Sequence, residues 1–368
     1  MEVIQNTKTE ERIRYLDVLR TVATLAVMML HLSATGYKAA PEGSAAQVIC
    51  WCYNFLSRFA VPVFVMISGA IFLNPDRAVT PEKLLKRNIA RLLLIFFLWS
   101  TGFALLQAAR EQPLFSTAYC LCVIRKIVTG HYHMWYLYMI MGLYLAVPFL
   151  RPVAADRTLL KQFMLLCFLL GSIPRLLCLI PVAGEVVREV LEKADIGFFA
   201  GYAGYFCLGH YLHSTRISRR SVTVFAVLAA ALMLAMAAFE MRGNLTERLF
   251  QEKMPHIAVY SAAVFLVFKE NAARFERSEK LKKLIEKLAV CSLGMYLVHP
   301  AVNFLLSAIG LHALTFMPLF CVPLCGLLVF GISFVIVMYM KKCPLLNKMV
   351  LKNPDAEPPS GSRSFAVN

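Results

Sequence analysis

Apolar runs of about 20 residues, the length that crosses a bilayer as a helix, alternate with short polar stretches along almost the whole chain. Ten runs can be marked: residues 17–36, 47–73, 88–110, 131–150, 159–181, 197–213, 221–240, 255–269, 289–309 and 316–340. They predict an all-α polytopic membrane protein with about ten transmembrane helices. Residues 114–129 are apolar only in part, because Arg125 and Lys126 interrupt them. That segment is read as an interfacial or re-entrant helix instead of a span.

Composition agrees with this class. Hydrophobic residues are 59% of the 368 and charged residues 16%, well outside the soluble norm. The net charge of +16 raises nucleic acid as a partner, but the basic residues punctuate the apolar runs at regular intervals, so no nucleic-acid partner is expected. With the N-terminus inside, the inner segments carry 27 Lys and Arg and the outer loops 9. This is the excess described by the positive-inside rule. Both termini are therefore expected in the cytoplasm. Residues 1–16 would form an arm, 17–340 the membrane domain, and 341–368 a polar, Pro-rich tail that reads as disordered. The first apolar run is longer than the core of a signal peptide and is read as a retained span.

Cysteine and motif content narrow the chemistry. The 11 cysteines include Cys50-x-Cys52 and Cys120-x-Cys122 near the outer face. None has zinc-ligand spacing, no metal set is expected, and they read as small apolar packing residues; a disulfide between the outer pairs stays open. No phosphate loop, dinucleotide fingerprint, serine elbow or zinc-protease motif occurs. An ATP-driven pump and a soluble-type hydrolase are thereby unsupported.

What remains is polar residues at membrane depth, which are costly and mark function. In "LDVLRTVATLAVMMLHLS" Arg20 and His31 lie eleven residues apart. Eleven steps of about 100° end about 20° past three full turns, so both share one helix face, roughly 16 Å apart along the axis. Asp17, three residues before Arg20, reads as its neutralising partner or as part of the site. Arg58 lies midway along the second run and Arg175 toward the outer end of the fifth. His131, His133, Trp135 and Tyr136 open the fourth, where the aromatic pair also suits an interfacial belt. Ser292, Tyr296 and His299 follow an i, i+4, i+7 spacing and point one way. Gly197-xxx-Gly201 and Ala200-xxx-Gly204 read as close-packing faces, and His210, His213 and His256 as solvated residues at span ends.

The segments "YLDVLRTVATLAVMMLH", "VPVFVMISGAIFL", "HMWYLYMIMGLYLAVPFLRP", "YFCLGHYL" and "SLGMYLVHP" resemble, in this order, the acyltransferase-3 family of integral membrane acyltransferases. Its most specific mark is a basic residue, ten intervening residues and a histidine, here Arg20 and His31. The resemblance implies a ten-helix membrane domain in a bacterial plasma membrane. The donor would be acyl-CoA, usually acetyl-CoA, entering from the cytoplasm, with no permanently bound cofactor. The acceptor would be a hydroxyl of an envelope polysaccharide or lipid-linked glycan. It further implies that His31 is catalytic with Arg20, that Arg58 stands before the "P-x-F-x-x-I-S-G" segment, and that Trp135, Tyr136 and His299 fall on family motifs. Some relatives append an extracytoplasmic esterase-like domain. With only about 28 residues after the tenth span, none is expected here, so transfer would be direct or through a separate acceptor protein.

The physics fits this donor. Arg20 and the loop residues Lys83, Lys86, Arg87 and Arg91 could bind CoA phosphates, although the positive-inside rule alone also explains the loop. The thin uncharged arm would run along the Arg20–His31 face. Neutral imidazole could take the acceptor's proton or carry the acyl group, with Arg58, Tyr296 or Tyr136 as oxyanion donors. The competing reading is a transporter or flippase for an anionic envelope precursor, with helices broken at Pro62, Pro174 and Pro300.

Overall fold

The structure, a computed structural model, describes residues 12–343 apart from residues 78, 181–182, 195–196, 243–244 and 246. The regular elements among them are all helical: α1 (Arg14–Ala39), α2 (Ala45–Ser57), α3 (Ala60–Phe72), α4 (Pro81–Lys83), a π-helical turn at Leu84–Ile89, α5 (Ala90–Glu111), α6 (Thr117–Thr129), α7 (Trp135–Ala155), α8 (Arg157–Gly171), α9 (Ile173–Leu177), α10 (Ala183–Ala194), α11 (Gly197–Ser214), α12 (Arg219–Met241), α13 (Pro255–Glu270), α14 (Glu279–Ala308) and α15 (Pro318–Met340). Eight helical stretches are long and apolar enough to cross a membrane; α2 with α3, α4 through α5, and α8 with α9 each form one of them. The runs at 197–213 and 255–269 are helical as α11 and α13. With 16 residues, α13 is about 24 Å long, short of a typical hydrocarbon core. Most of the expected N-terminal arm and tail lies outside the described residues.

The second apolar run is one stretch with a break, and the break falls at Arg58. Pro62 has no N–H for the Arg58 carbonyl; α2 stops at Ser57, and the Arg58 N–H turns to the Phe55 carbonyl at 3.3 Å. Pro174 opens the short α9, whereas Pro300 lies inside a continuous α14. α14 also begins ten residues before residue 289, where the ninth apolar run starts. Its first turns, "EKLKKLIEK", are polar but helix-forming, start at the Ser278 cap, and convert half of the expected basic loop into helix.

α1 lies at the centre, packed on α2, α3, α14 and α15, while α3 packs closely on α11. Two glycines set that approach. A Cβ on Gly69 would stand 1.8 Å from the Phe206 carbonyl oxygen, and one on Gly209 2.0 Å from that of Met66. The expected small-residue face at Gly201 and Gly204 is also used, against Lys253 and Cys167. α12 buries little and turns Val227, Leu228 and Leu234 outward, as a lipid-facing helix does. α6 is helical and packs along α5, with Lys126 paired to Glu111 at 2.9 Å.

At the Arg20 end of α1 the pairing differs from the sequence expectation. Asp17 accepts from Arg12, which also bonds Glu286 at 2.9 Å on α14. Asp17 is therefore not the partner of Arg20, because Arg12 reaches it first from outside the helix. His210 and His256 are 6% and 2% exposed, and the partly buried His213 meets the Tyr15 hydroxyl at 2.6 Å. These histidines are packed residues, not solvated ones, because neighbouring segments cover them; His256 meets the Leu249 carbonyl at 3.2 Å.

Candidate active site

Several helices each turn one stripe of side chains toward a common cavity of about 320 Å³. α1 contributes Arg20, Val27, His31, Ala34 and Lys38, whose spacings of 7, 4, 3 and 4 keep to one face. Arg58 and α3 add Val61, Phe64 and Ser68; α7 adds Tyr136, Ile140 and Tyr144; α14 adds Ser292, Leu293 and Tyr296. Arg20 and Lys38 lie about 27 Å apart along α1, close to the thickness of a bilayer core of about 30 Å. The cavity therefore follows α1 across most of a membrane's depth, with His31 between its ends.

Around His31 the geometry is closely specified. Its ring stacks on His299 at 5.3 Å between centroids and meets the edge of Tyr132 at 5.1 Å. His299 is held by a helix defect. Pro300 cannot donate to the Tyr296 carbonyl four residues back, and His299 Nδ1 takes that carbonyl at 2.6 Å instead. A carbonyl only accepts, so Nδ1 carries the proton and Nε2 the lone pair; Nε2 is buried without a partner. His133 packs against His299 and Tyr296, its carbonyl accepts the Tyr296 hydroxyl, and its Nδ1 meets that of His131 at 2.8 Å. Among the described residues no histidine, cysteine or carboxylate group is arranged to hold a metal ion.

Arg58 is anchored on the same cavity. Its Nε and one terminal nitrogen donate to Asn54 Oδ1 at 2.8 and 2.6 Å, and the other terminal nitrogen donates to Glu252 at 3.2 Å. Its guanidinium also lies 4.7 Å over the Phe250 ring. Asn54 in turn donates to the Leu30 carbonyl at 3.1 Å, one residue before His31. Three of the five guanidinium N–H groups are thus committed, and two are left for a ligand. Glu252 belongs to the segment before α13, which is pinned by buried Leu249, Phe250 and Met254 and by Tyr205 donating to the Glu252 carbonyl at 2.5 Å.

A family model described as an acyltransferase domain matches residues 13–338, nearly the whole chain. The chain belongs to the acyltransferase-3 family. No curated protein and no solved structure matches it. Membership implies acyl transfer by a multi-pass membrane protein; Arg20 and His31, singled out in the sequence, both line the cavity described above.

The remaining sequence candidates separate by position. His133, Trp135, Tyr136, Ser292 and Tyr296 line the cavity; His299 stacks on His31; Asp17 does not reach the cavity. Trp135 is 39% exposed and packs on Tyr202 at the Lys38 end, so it serves the mouth as well as the membrane belt. Of the basic loop, only Arg91 lines the cavity; Lys83 and Lys86 are exposed, the latter paired with Glu82 at 2.7 Å, and Arg87 is half-buried. Arg175 lies off the cavity, close to Tyr202 and Lys253. Burial and the Arg175 charge lower the Lys253 ammonium to about 8. Sequence reasoning missed Asn54, Asn88, Tyr132 and Glu252, and gave Ser68 no role although it stands in the "P-x-F-x-x-I-S-G" segment. The only signal for Asn54 was its i, i+4 spacing to Arg58; Asn88, Tyr132 and Glu252 lie on elements whose faces the sequence does not orient.

Proposed function

We propose that this protein is a bacterial plasma-membrane O-acyltransferase of ten spans with cytoplasmic termini. It moves an acyl group, acetyl in the first instance, from cytoplasmic acyl-CoA to a hydroxyl of an envelope polysaccharide or lipid-linked glycan. The observation that carries this is the single cavity that runs from Arg20 past His31 to Lys38. It supports a donor that enters at one end and an acceptor at the other.

The arginines at the inner end, Arg20 and Arg91, bind the CoA phosphates, and the uncharged arm reaches His31. An acceptor hydroxyl at the opposite side attacks the thioester carbonyl carbon while His31 takes its proton. The carbonyl oxygen becomes an oxyanion, and the two uncommitted N–H groups of Arg58 stabilise it. Collapse breaks the C–S bond, the ester remains on the acceptor, and His31 returns the proton to the CoA thiolate. His299 fixes the orientation of the His31 ring from behind. Tyr132 beside His31, with Trp135, Tyr136, Glu247 and Glu252 also on the cavity wall, gives a combination of aromatic faces and carboxylates suited to stacking and hydrogen-bonding a sugar. Tests begin with purified protein and labelled acetyl-CoA. Acceptor-dependent release of free CoA is expected; an acceptor carried across without CoA release would favour the transporter.

A further inference from the structure

The inner part of the cavity contains more than arginine. Arg20 is 9% exposed, Asn88 5% and Ser68 7%, and all three line the cavity. Among the described residues, no hydrogen bond or ion pair engages any of these three side chains. Their polar atoms open into the cavity and are not sealed in the packing, so all three are placed to meet a ligand that enters it. Their placement is built by the fold. The π-helical turn at Leu84–Ile89 leads into α5, and π turns recur at functional sites. It puts Asn88 beside Arg91 and Leu92 at i, i+3 and i+4 on the cavity face. Ser68 lies ten residues from Arg58 along the second span, about 15 Å deeper, and thus at the level of Arg20 below His31.

Phosphate recognition explains Arg20 but not Asn88 or Ser68. An asparagine amide offers one donor side and one acceptor side, the complement of a secondary amide, and a serine hydroxyl does both in one atom. Building on the donor reading above, we propose that Asn88 and Ser68 recognise the amide and hydroxyl of the pantoyl half of the donor's arm. They would make the enzyme selective for phosphopantetheine-type thioesters over simple ones. The distance fits: the roughly 16 Å from Arg20 to His31 matches the span from the phosphate to the sulfur of an extended arm, and the pantoyl group then falls next to the phosphate, at the Arg20 end.

Three acetyl thioesters separate the contributions in full-length protein in nanodiscs. Acetyl-CoA has phosphates and both amides. S-acetyl-pantetheine lacks the nucleotide phosphates. S-acetyl-N-acetylcysteamine lacks the pantoyl half as well. Asn88→Leu keeps the side-chain size, and because the amide has no partner in the fold, its thermal midpoint should be equal to or above wild type. Asn88→Leu and Ser68→Ala should each lower the preference for S-acetyl-pantetheine over S-acetyl-N-acetylcysteamine, read as the ratio of kcat/KM, by about ten-fold. Their preference for acetyl-CoA over S-acetyl-pantetheine should not change. Arg20→Ala should do the reverse. Variants of Asn88 and Ser68 that slow all three donors alike, or that unfold at lower temperature, would overturn the proposal while leaving acyl-CoA as donor. Wild-type protein inert with all three would overturn the donor reading itself.

Discussion

Replacing Glu252 by Gln removes one charge from the group that holds Arg58 and leaves the shape of the site intact. The Arg58–Glu252 pair is 3.2 Å long, with side-chain exposures of 15% and 22%. Breaking a fully buried pair costs about 3–5 kcal/mol, and breaking a surface pair about 0–1 kcal/mol. This pair sits between those limits, so about 2 kcal/mol is at stake. Asn54 still grips the guanidinium by two bonds of 2.8 and 2.6 Å, so Arg58 remains near its place but loses its fixed angle. If its free N–H groups meet the oxyanion only in the transition state, the cost appears in kcat, not in donor KM. Glu252→Gln should therefore lower kcat by about 30-fold, the rate equivalent of 2 kcal/mol, with acetyl-CoA KM within about two-fold of wild type. Acceptor-dependent CoA release reads both constants, and a melting curve on the same sample reads the fold. A well-folded variant with wild-type kcat would refute the role of the pair. A rise in donor KM larger than the fall in kcat would place the donor phosphates at the wrong end of the cavity.

Gly69→Ala and Gly209→Ala should each abolish folded yield, because the added Cβ would meet backbone oxygens at 1.8 and 2.0 Å; fluorescence-detected size exclusion would show aggregate in place of a monodisperse peak. Asp17→Asn should lower the thermal midpoint, since Arg12 loses a carboxylate on one of its two acidic partners, while donor KM stays unchanged. A reporter fused after Met340 should read cytoplasmic and one near Gly184 external; reversal at both positions would invert the donor and acceptor ends.

Much of the helix content was legible because lipid forces it: each span must satisfy its own backbone and present apolar side chains over its full length. The Arg20–His31 face was legible for the same reason, since rotation per residue fixes it once the helix is granted. Pairings between elements were not. Arg12 competes with Arg20 for Asp17 from outside the helix, and nothing in the spacing announces that. Glu252 carries no motif or spacing signal in the sequence, yet the buried Phe250 and Met254 beside it carry it to Arg58. Ser68 stands in the "P-x-F-x-x-I-S-G" segment but its facing was not legible, and Asn88 looks ordinary at the edge of a basic loop. A π turn and the course of α3 set both on the cavity that Arg20 lines. His299 was placed on the correct face, but the reason for its fixed ring, the carbonyl that Pro300 leaves free, needed the structure.

The central claim is that His31 transfers an acyl group between a donor and an acceptor that enter the cavity from opposite ends. Proteoliposomes with labelled acetyl-CoA sealed on the face that bears Arg20, and the acceptor glycan supplied only on the other face, test it directly. Wild-type protein should label the acceptor across the bilayer while CoA stays on the donor side. His31→Ala, folded and still binding donor, should label it about a hundred- to ten-thousand-fold more slowly, the usual loss when a positioned base is removed. Labelling that needs donor and acceptor on the same face, or that continues at the wild-type rate without His31, would contradict the account.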